Sequence, residues 1–142
     1  MILFFTLDTD FIVSKKNRYK KWLKQLALSH GKHLQEVNVI FCSDPSIQEI
    51  NRRFLGHDYA TDVLSFDQSS LFSTGKISGD LYIGVESVAE NAKEYQVSFE
   101  EELLRVMAHG ILHLLGYNDA IKKEQALMQR HEDAAILNFK NF

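Results

Sequence analysis

The chain has 142 residues, 45% of them apolar, which suits one domain with a proper hydrophobic core and excludes an extended disordered chain. No apolar run approaches a membrane span, and a net charge of −3 does not by itself advertise a nucleic-acid partner. The single cysteine, Cys42, has no internal partner for a disulfide, which points to a reducing compartment and makes the cytosol the expected location.

In chain order, Ile2 to Leu7 reads as a first strand. The opening segment is apolar and then acidic, without the basic region and small-residue cleavage site of a signal peptide. Lys16 to Ser29 reads as a helix whose apolar stripe is Tyr19, Trp22, Leu23 and Leu26, stopped by Gly31. Val37, Val39 and Phe41 alternate with Asn38 and Ile40 as in a strand. Ser43 or Asp44 can cap a helix with Pro45 in its first turn, running to about Leu55. Gly56 to Thr61 is a loop, Asp62 to Phe66 a short strand, and Gln68 to Ser78 a polar connection. Asp80 to Val85 is a further strand with Leu81, Ile83 and Val85 on one face, followed by a helix over about Ser87 to Tyr95. Ser98 and Glu101 form the S-x-x-E pattern that opens a strongly apolar helix reaching Leu115 and ending at Gly116. A last helix spans about Ile121 to Leu137. The sum is an α+β single domain over residues 1–142, with about four strands in a mixed sheet and about five helices.

Charge is unevenly distributed. Lys15, Lys16, Arg18, Lys20, Lys21 and Lys24 carry six positive charges with no acid among them, so the rest of the chain sums to −9. The segment reads either as an ordinary solvated helix face or as a footprint for phosphates.

The chemistry concentrates in His109-Gly110-Ile111-Leu112-His113-Leu114-Leu115-Gly116-Tyr117-Asn118-Asp119. Histidines four apart on a helix share one face, and their ring nitrogens can reach one metal ion. Gly116 adopts a left-handed conformation without steric cost, so the chain can turn back and offer Asp119 as a third ligand. Two histidines and one carboxylate leave a coordination position open, as in catalytic zinc sites. Each residue also has a plainer reading: the histidines as satisfied core residues, and Asp119 as the cap of the helix near Ile121, a task Asn118 can also perform. The spacing is similar to the H-E-x-x-H-x-x-G-x-x-H motif of metzincin proteases, but Gly110 stands where they carry the catalytic glutamate. A glycine takes no proton from water, which argues against peptide hydrolysis and leaves metal-assisted cleavage of another bond. Among the other histidines, His30 and His33 flank a turn, His131 lies in the last helix, and His57 is a loop residue that reads as a substrate contact or as merely exposed.

These residues resemble a known family. His109 to Asp119 resembles the H-G-x-L-H-L-x-G-Y-D-H signature of the bacterial YbeY endoribonucleases, also called rRNA maturation factors. Asn51 to Phe66 resembles their N-x-x-[YF]-R-x-K-D-x-P-T-D-V-L-S-F segment, and Gly79-Asp80-Leu81-Tyr82-Ile83 their G-D-I-x-I strand. The spacings agree, and the resemblance spans nearly the whole chain. It implies a single-domain zinc hydrolase that cuts single-stranded RNA, acts at the 3′ end of small-subunit ribosomal RNA and in ribosome quality control, and meets the ribosome or its proteins. The family's three histidine ligands fall on His109, His113 and Asp119.

The chain departs from that pattern in informative places. Asp119 replaces a histidine and follows Asn118 rather than Asp. An anionic ligand lowers the charge of the site by one unit, which makes a bound water less acidic and can alter metal preference. The family arginine falls on Leu55, its lysine on His57 and its proline on Ala60. Arg52 and Arg53 are then candidate substitutes in phosphate handling or plain surface residues. Arg105, four before His109, is the candidate catalytic cation, able to clamp a phosphate, hold a carboxylate behind the ligands, or pair with Glu101 or Glu102. Two other activities stand beside the endoribonuclease: a metalloprotease-like hydrolase, and a non-catalytic ribosome-assembly factor with a structural metal.

Overall fold

A four-stranded sheet of order β1-β2-β4-β3 organises the molecule. The computed structural model describes residues 1–71 and 74–142. Strand β1 (Ile2–Leu7) runs parallel to β2 (Leu34–Cys42), β2 parallel to β4 (Ile77–Gly84), and β3 (Val63–Asp67) antiparallel to β4 at the sheet edge. Alternation along the strands explains both faces. Val37, Val39 and Phe41 of β2 and Leu81 and Ile83 of β4 are fully buried on one side. Cys42 and Leu64 point to the other, where Ile40, Phe66 and Tyr82 join them.

Helix α1 (Lys16–Ser29) and helix α4 (Phe99–Leu114) pack on the first face, with α5 (Lys122–Phe139) against both. The expected stripe of α1 is buried: Tyr19 meets Phe4 of β1, and Trp22 Nε1 donates to the carbonyl of Ala135 on α5 at 2.8 Å. Ile47 of α2 (Asp44–Leu55) belongs to the apolar cluster of the second face. Ser43 caps α2, accepting the Ser46 amide, and Pro45 sits in its first turn. Helix α3 (Val85–Tyr95) follows β4 directly and packs on α4.

Sequence and structure differ mainly at boundaries. Strand β4 begins at Ile77, inside the segment read as a polar connection, because its parallel partner β2 begins at Leu34, opposite Ile77. Residues 69–71 of that connection form a short 3-10 turn, and residues 72 and 73 lie outside the described residues. Val85 starts α3 instead of ending the strand, since the sheet ladder closes at Gly84 opposite Cys42. Helix α5 extends past Leu137 to Phe139, whose ring packs edge-on against Trp22.

Helix α4 is buried along most of its length, from Leu103 to Leu114, and crosses β4 and β3 closely. Gly110 makes that approach possible. A Cβ there would lie 2.9 Å from Leu81 Cδ2 and 3.3 Å from Val63 Cγ2. Gly110→Ala should therefore lower the melting temperature despite the better helix former. Overpacking costs about 1–3 kcal/mol, against about 1 kcal/mol returned in helix propensity. An unchanged or raised melting temperature would show that the Leu81 side chain yields freely.

Candidate metal centre

Helix α4 ends where the chemistry begins. Leu115 is its C-cap, and Gly116 takes φ 107°, a conformation that side chains rarely permit. The Gly116 amide donates to the His113 carbonyl and the Tyr117 amide to that of Leu112, each at 3.0 Å. Tyr117 then anchors the loop: its hydroxyl lies 2.8 Å from His30 Nδ1, and its ring packs 4.8 Å from that of His131 on α5. The chain is thus turned so that Asp119 faces back toward α4.

Three donor atoms converge there. His109 Nε2 and His113 Nε2 are 3.0 Å apart, and Asp119 Oδ2 lies 3.3 Å and 3.4 Å from them. Among the described residues this is the one cluster of three side chains able to hold a metal ion. Zinc with bonds near 2 Å in tetrahedral directions needs donor atoms about 3.3 Å apart. The observed triangle has that size, so the donor set fits the ion. Asp119 does not cap α5: Ile121 is the N-cap, and its amide donates to Glu124 Oε1.

Behind the three donor side chains lies a chain of charged groups. His109 Nδ1 is 2.7 Å from Glu132 Oε2. Glu132 Oε1 accepts from Arg105 at 3.0 Å, and the other guanidinium nitrogen of Arg105 donates to Asp133 at 2.7 Å. Burial works against a charged His109 ring, but the hydrogen bond and charge of Glu132, with the charges of Asp119 and Asp62, outweigh it and raise the pKa above its ordinary value. Burial also pushes up the carboxyl of Glu102, one turn before Arg105, and the nearby charge of Asp62 adds to that effect. Arg105 therefore holds carboxylates on α5, and not Glu101 or Glu102 of its own helix.

Two clefts meet at the three donor side chains. One, of about 530 Å³, runs between α4 and α5 past Tyr95, Glu101, Gln125 and Gln129. The other, of about 360 Å³, follows edge strand β3 past Thr61, Asp62, Ser65 and Asp67. His109 and Asp119 line both. Arg52, Arg53 and His57 line neither. Arg52 and Arg53 pair with Glu49 on the exposed face of α2, and His57 stacks on Tyr59. Leu55, at the position of the family arginine, is 47% exposed. The basic residues of α1 also stand outside both clefts: α1 packs over β1, whereas the donors lie beside β3, the opposite edge of the sheet. Lys15 pairs with Glu100, and Arg18 lies over the Phe139 ring.

Glu132 was missed in the sequence. A signal was present: Met128, Glu132, Ala135 and Phe139 form one buried stripe of α5, and a lone carboxylate on such a stripe needs a partner.

The fold and site define a class: a small α+β protein with a two-histidine, one-carboxylate centre at the end of a buried helix, open to two clefts. The model of the family described as Endoribonuclease YbeY matches residues 6–140. The protein named Endoribonuclease YbeY of Flavobacterium johnsoniae is 43% identical over 136 residues, covering 95% of each chain. That of Cytophaga hutchinsonii is 41% identical over 135 residues, covering 95% of this chain and 93% of its own. A solution structure of TM1509 from Thermotoga maritima superposes with a TM-score of 0.66 at 30% identity, covering 98% of this chain and 89% of the other. This chain belongs to the YbeY endoribonuclease family.

Proposed function

We propose that the protein is a zinc-dependent endoribonuclease that cuts single-stranded RNA during ribosomal RNA maturation, at the small-subunit 3′ end and in ribosome quality control, working in the cytoplasm in contact with the ribosome. The observation that carries the reading is the open donor triangle at the junction of two clefts, in a chain of this family. Among the described residues no helix is long and apolar enough to cross a membrane.

His109, His113 and Asp119 would hold the ion. Once bound, it supplies Lewis-acid polarisation of a phosphoryl oxygen and an acidified water. The chain's own groups do the rest. The two clefts accept single strand on either side of the scissile bond. Asp62, which accepts from the Asn91 amide at 3.2 Å, lines the β3 cleft together with Asp67 and would be a candidate proton acceptor there. Arg105 is already engaged by two carboxylates, so the clefts offer little positive charge of their own. RNA charge is instead met by the ion and, outside the clefts, by exposed lysines such as Lys16, Lys21 and Lys24, which makes binding salt dependent. Gly110 faces the sheet, so the position used by a peptidase glutamate is closed to a base. That weighs against peptide cleavage.

The test is cleavage of a labelled single-stranded RNA from the small-subunit 3′ end by nuclease-free protein. Cutting is expected with zinc, lost on chelation, restored by readdition, and absent on the duplexed RNA. Cleavage that survives chelation defeats the reading. Ribosome association without cleavage at any metal concentration favours the assembly-factor alternative.

A further inference from the structure

Glu132, whose carboxylate faces His109, is 7% exposed on a stripe of α5 otherwise apolar. A buried carboxylate is costly unless its lone pairs are satisfied. Both of its oxygens are used: Oε2 faces His109 Nδ1 at 2.7 Å, and Oε1 accepts from Arg105 at 3.0 Å. Arg105 is itself braced by Asp133 one residue further along α5. A carboxylate accepts and cannot donate, so the contact fixes the proton of a neutral His109 on Nδ1. The lone pair is then on Nε2, the atom that faces His113 and Asp119. The brace also ties the ring to a helix that follows the ligand loop, so the angle of His109 is set by α4–α5 packing.

We infer that Glu132, clamped by Arg105, is the positioning residue of the metal centre: it fixes the tautomer and ring angle of His109 and so sets the affinity of the site. The inference rests on the metal reading above. It also moves Arg105 from the phosphate to the frame behind the ligands. An arginine is suited to that task because its planar fork spans Glu132 and Asp133 at once, whereas a lysine offers a single point charge.

The test compares wild type with Glu132→Gln, Glu132→Asp and Arg105→Lys in two measurements. The first is zinc affinity by competition with a chromophoric chelator. Glu132→Gln should lose about 10- to 100-fold in affinity. Arg105→Lys should lose less, and Glu132→Asp should recover part of the Gln loss. The second is nitrogen NMR of the His109 ring in metal-free protein, at a pH where the ring is neutral. Wild type should show the proton on Nδ1, and Glu132→Gln a mixture of tautomers. A protein that is merely less stable would not redistribute that proton. Unchanged affinity in Glu132→Gln, or a wild-type ring protonated on Nε2, overturns the inference. A wild-type protein that binds no zinc refutes the metal reading instead, and the tautomer comparison alone then decides whether Glu132 positions His109.

Discussion

His113→Ala should abolish zinc binding and reduce cleavage of single-stranded RNA to the background of a chelated control. The residue is one of three donors, and its Nε2 closes two edges of the triangle, 3.0 Å from His109 and 3.4 Å from Asp119. Losing it leaves a two-point site, and two donors do not hold zinc against water. The drop in affinity should exceed the roughly 10- to 100-fold expected of a partner outside the coordination sphere. Stability should respond differently. The His113 side chain is 28% exposed, at the last turn of α4, and Leu112 and Leu114 beside it carry the packing. The metal-free variant should therefore melt close to metal-free wild type, while the gain on adding zinc, present in wild type through binding to the native state alone, should vanish. Thermal shift with and without zinc, run beside the RNA assay, reads both effects. Undiminished cutting would place the activity elsewhere or in a contaminant.

How far the site was legible depends on whether its parts are local. His109, His113 and Gly116 lie within one turn-and-a-half of helix and its stop, so helical geometry alone relates them. Asp119 lies only three residues past the glycine, and the competing role as a cap was decided by a detail no pattern supplies: Ile121 is capped by Glu124 reaching back along its own helix. Glu132 is 23 residues from its histidine, and what joins them is the packing of α5 on α4. The same holds for Tyr117, whose partners are His30, just past the end of α1, and His131 of α5. Spacing puts Arg105 on the same face of α4 as His109, but which acids it meets depends on the neighbouring helix. The strand edges show the same division. Val37, Val39 and Phe41 identify the centre of β2 by alternation, whereas the start of β4 at Ile77 follows from where β2 pairs.

Asp119 carries the second large prediction, because it is where this chain departs from the histidine pattern it resembles. Asp119→Ala should lose most of its zinc, and Asp119→His should keep it. The carboxylate oxygen stands 3.3 Å and 3.4 Å from the two ring nitrogens and has no part in capping α5, so truncation removes a donor and little else. Its side chain is 43% exposed, which leaves room for the larger imidazole. The two variants differ in charge as well as reach. Three neutral histidines leave the ion its full charge, whereas one carboxylate offsets a unit of it, and a more positive centre acidifies water more strongly. In Asp119→His the acid limb of the pH–rate profile for RNA cleavage should therefore move to lower pH, and hard-ligand metals such as manganese should support less activity than they do in wild type. Metal content of the native proteins, followed by the pH profile of those that retain metal, separates the cases. Full zinc content in Asp119→Ala would remove Asp119 from the ligand set. Retained zinc with an unmoved profile in Asp119→His would mean that the carboxylate binds the ion without setting its acidity, leaving that task to His109 and the buried Glu132 behind it.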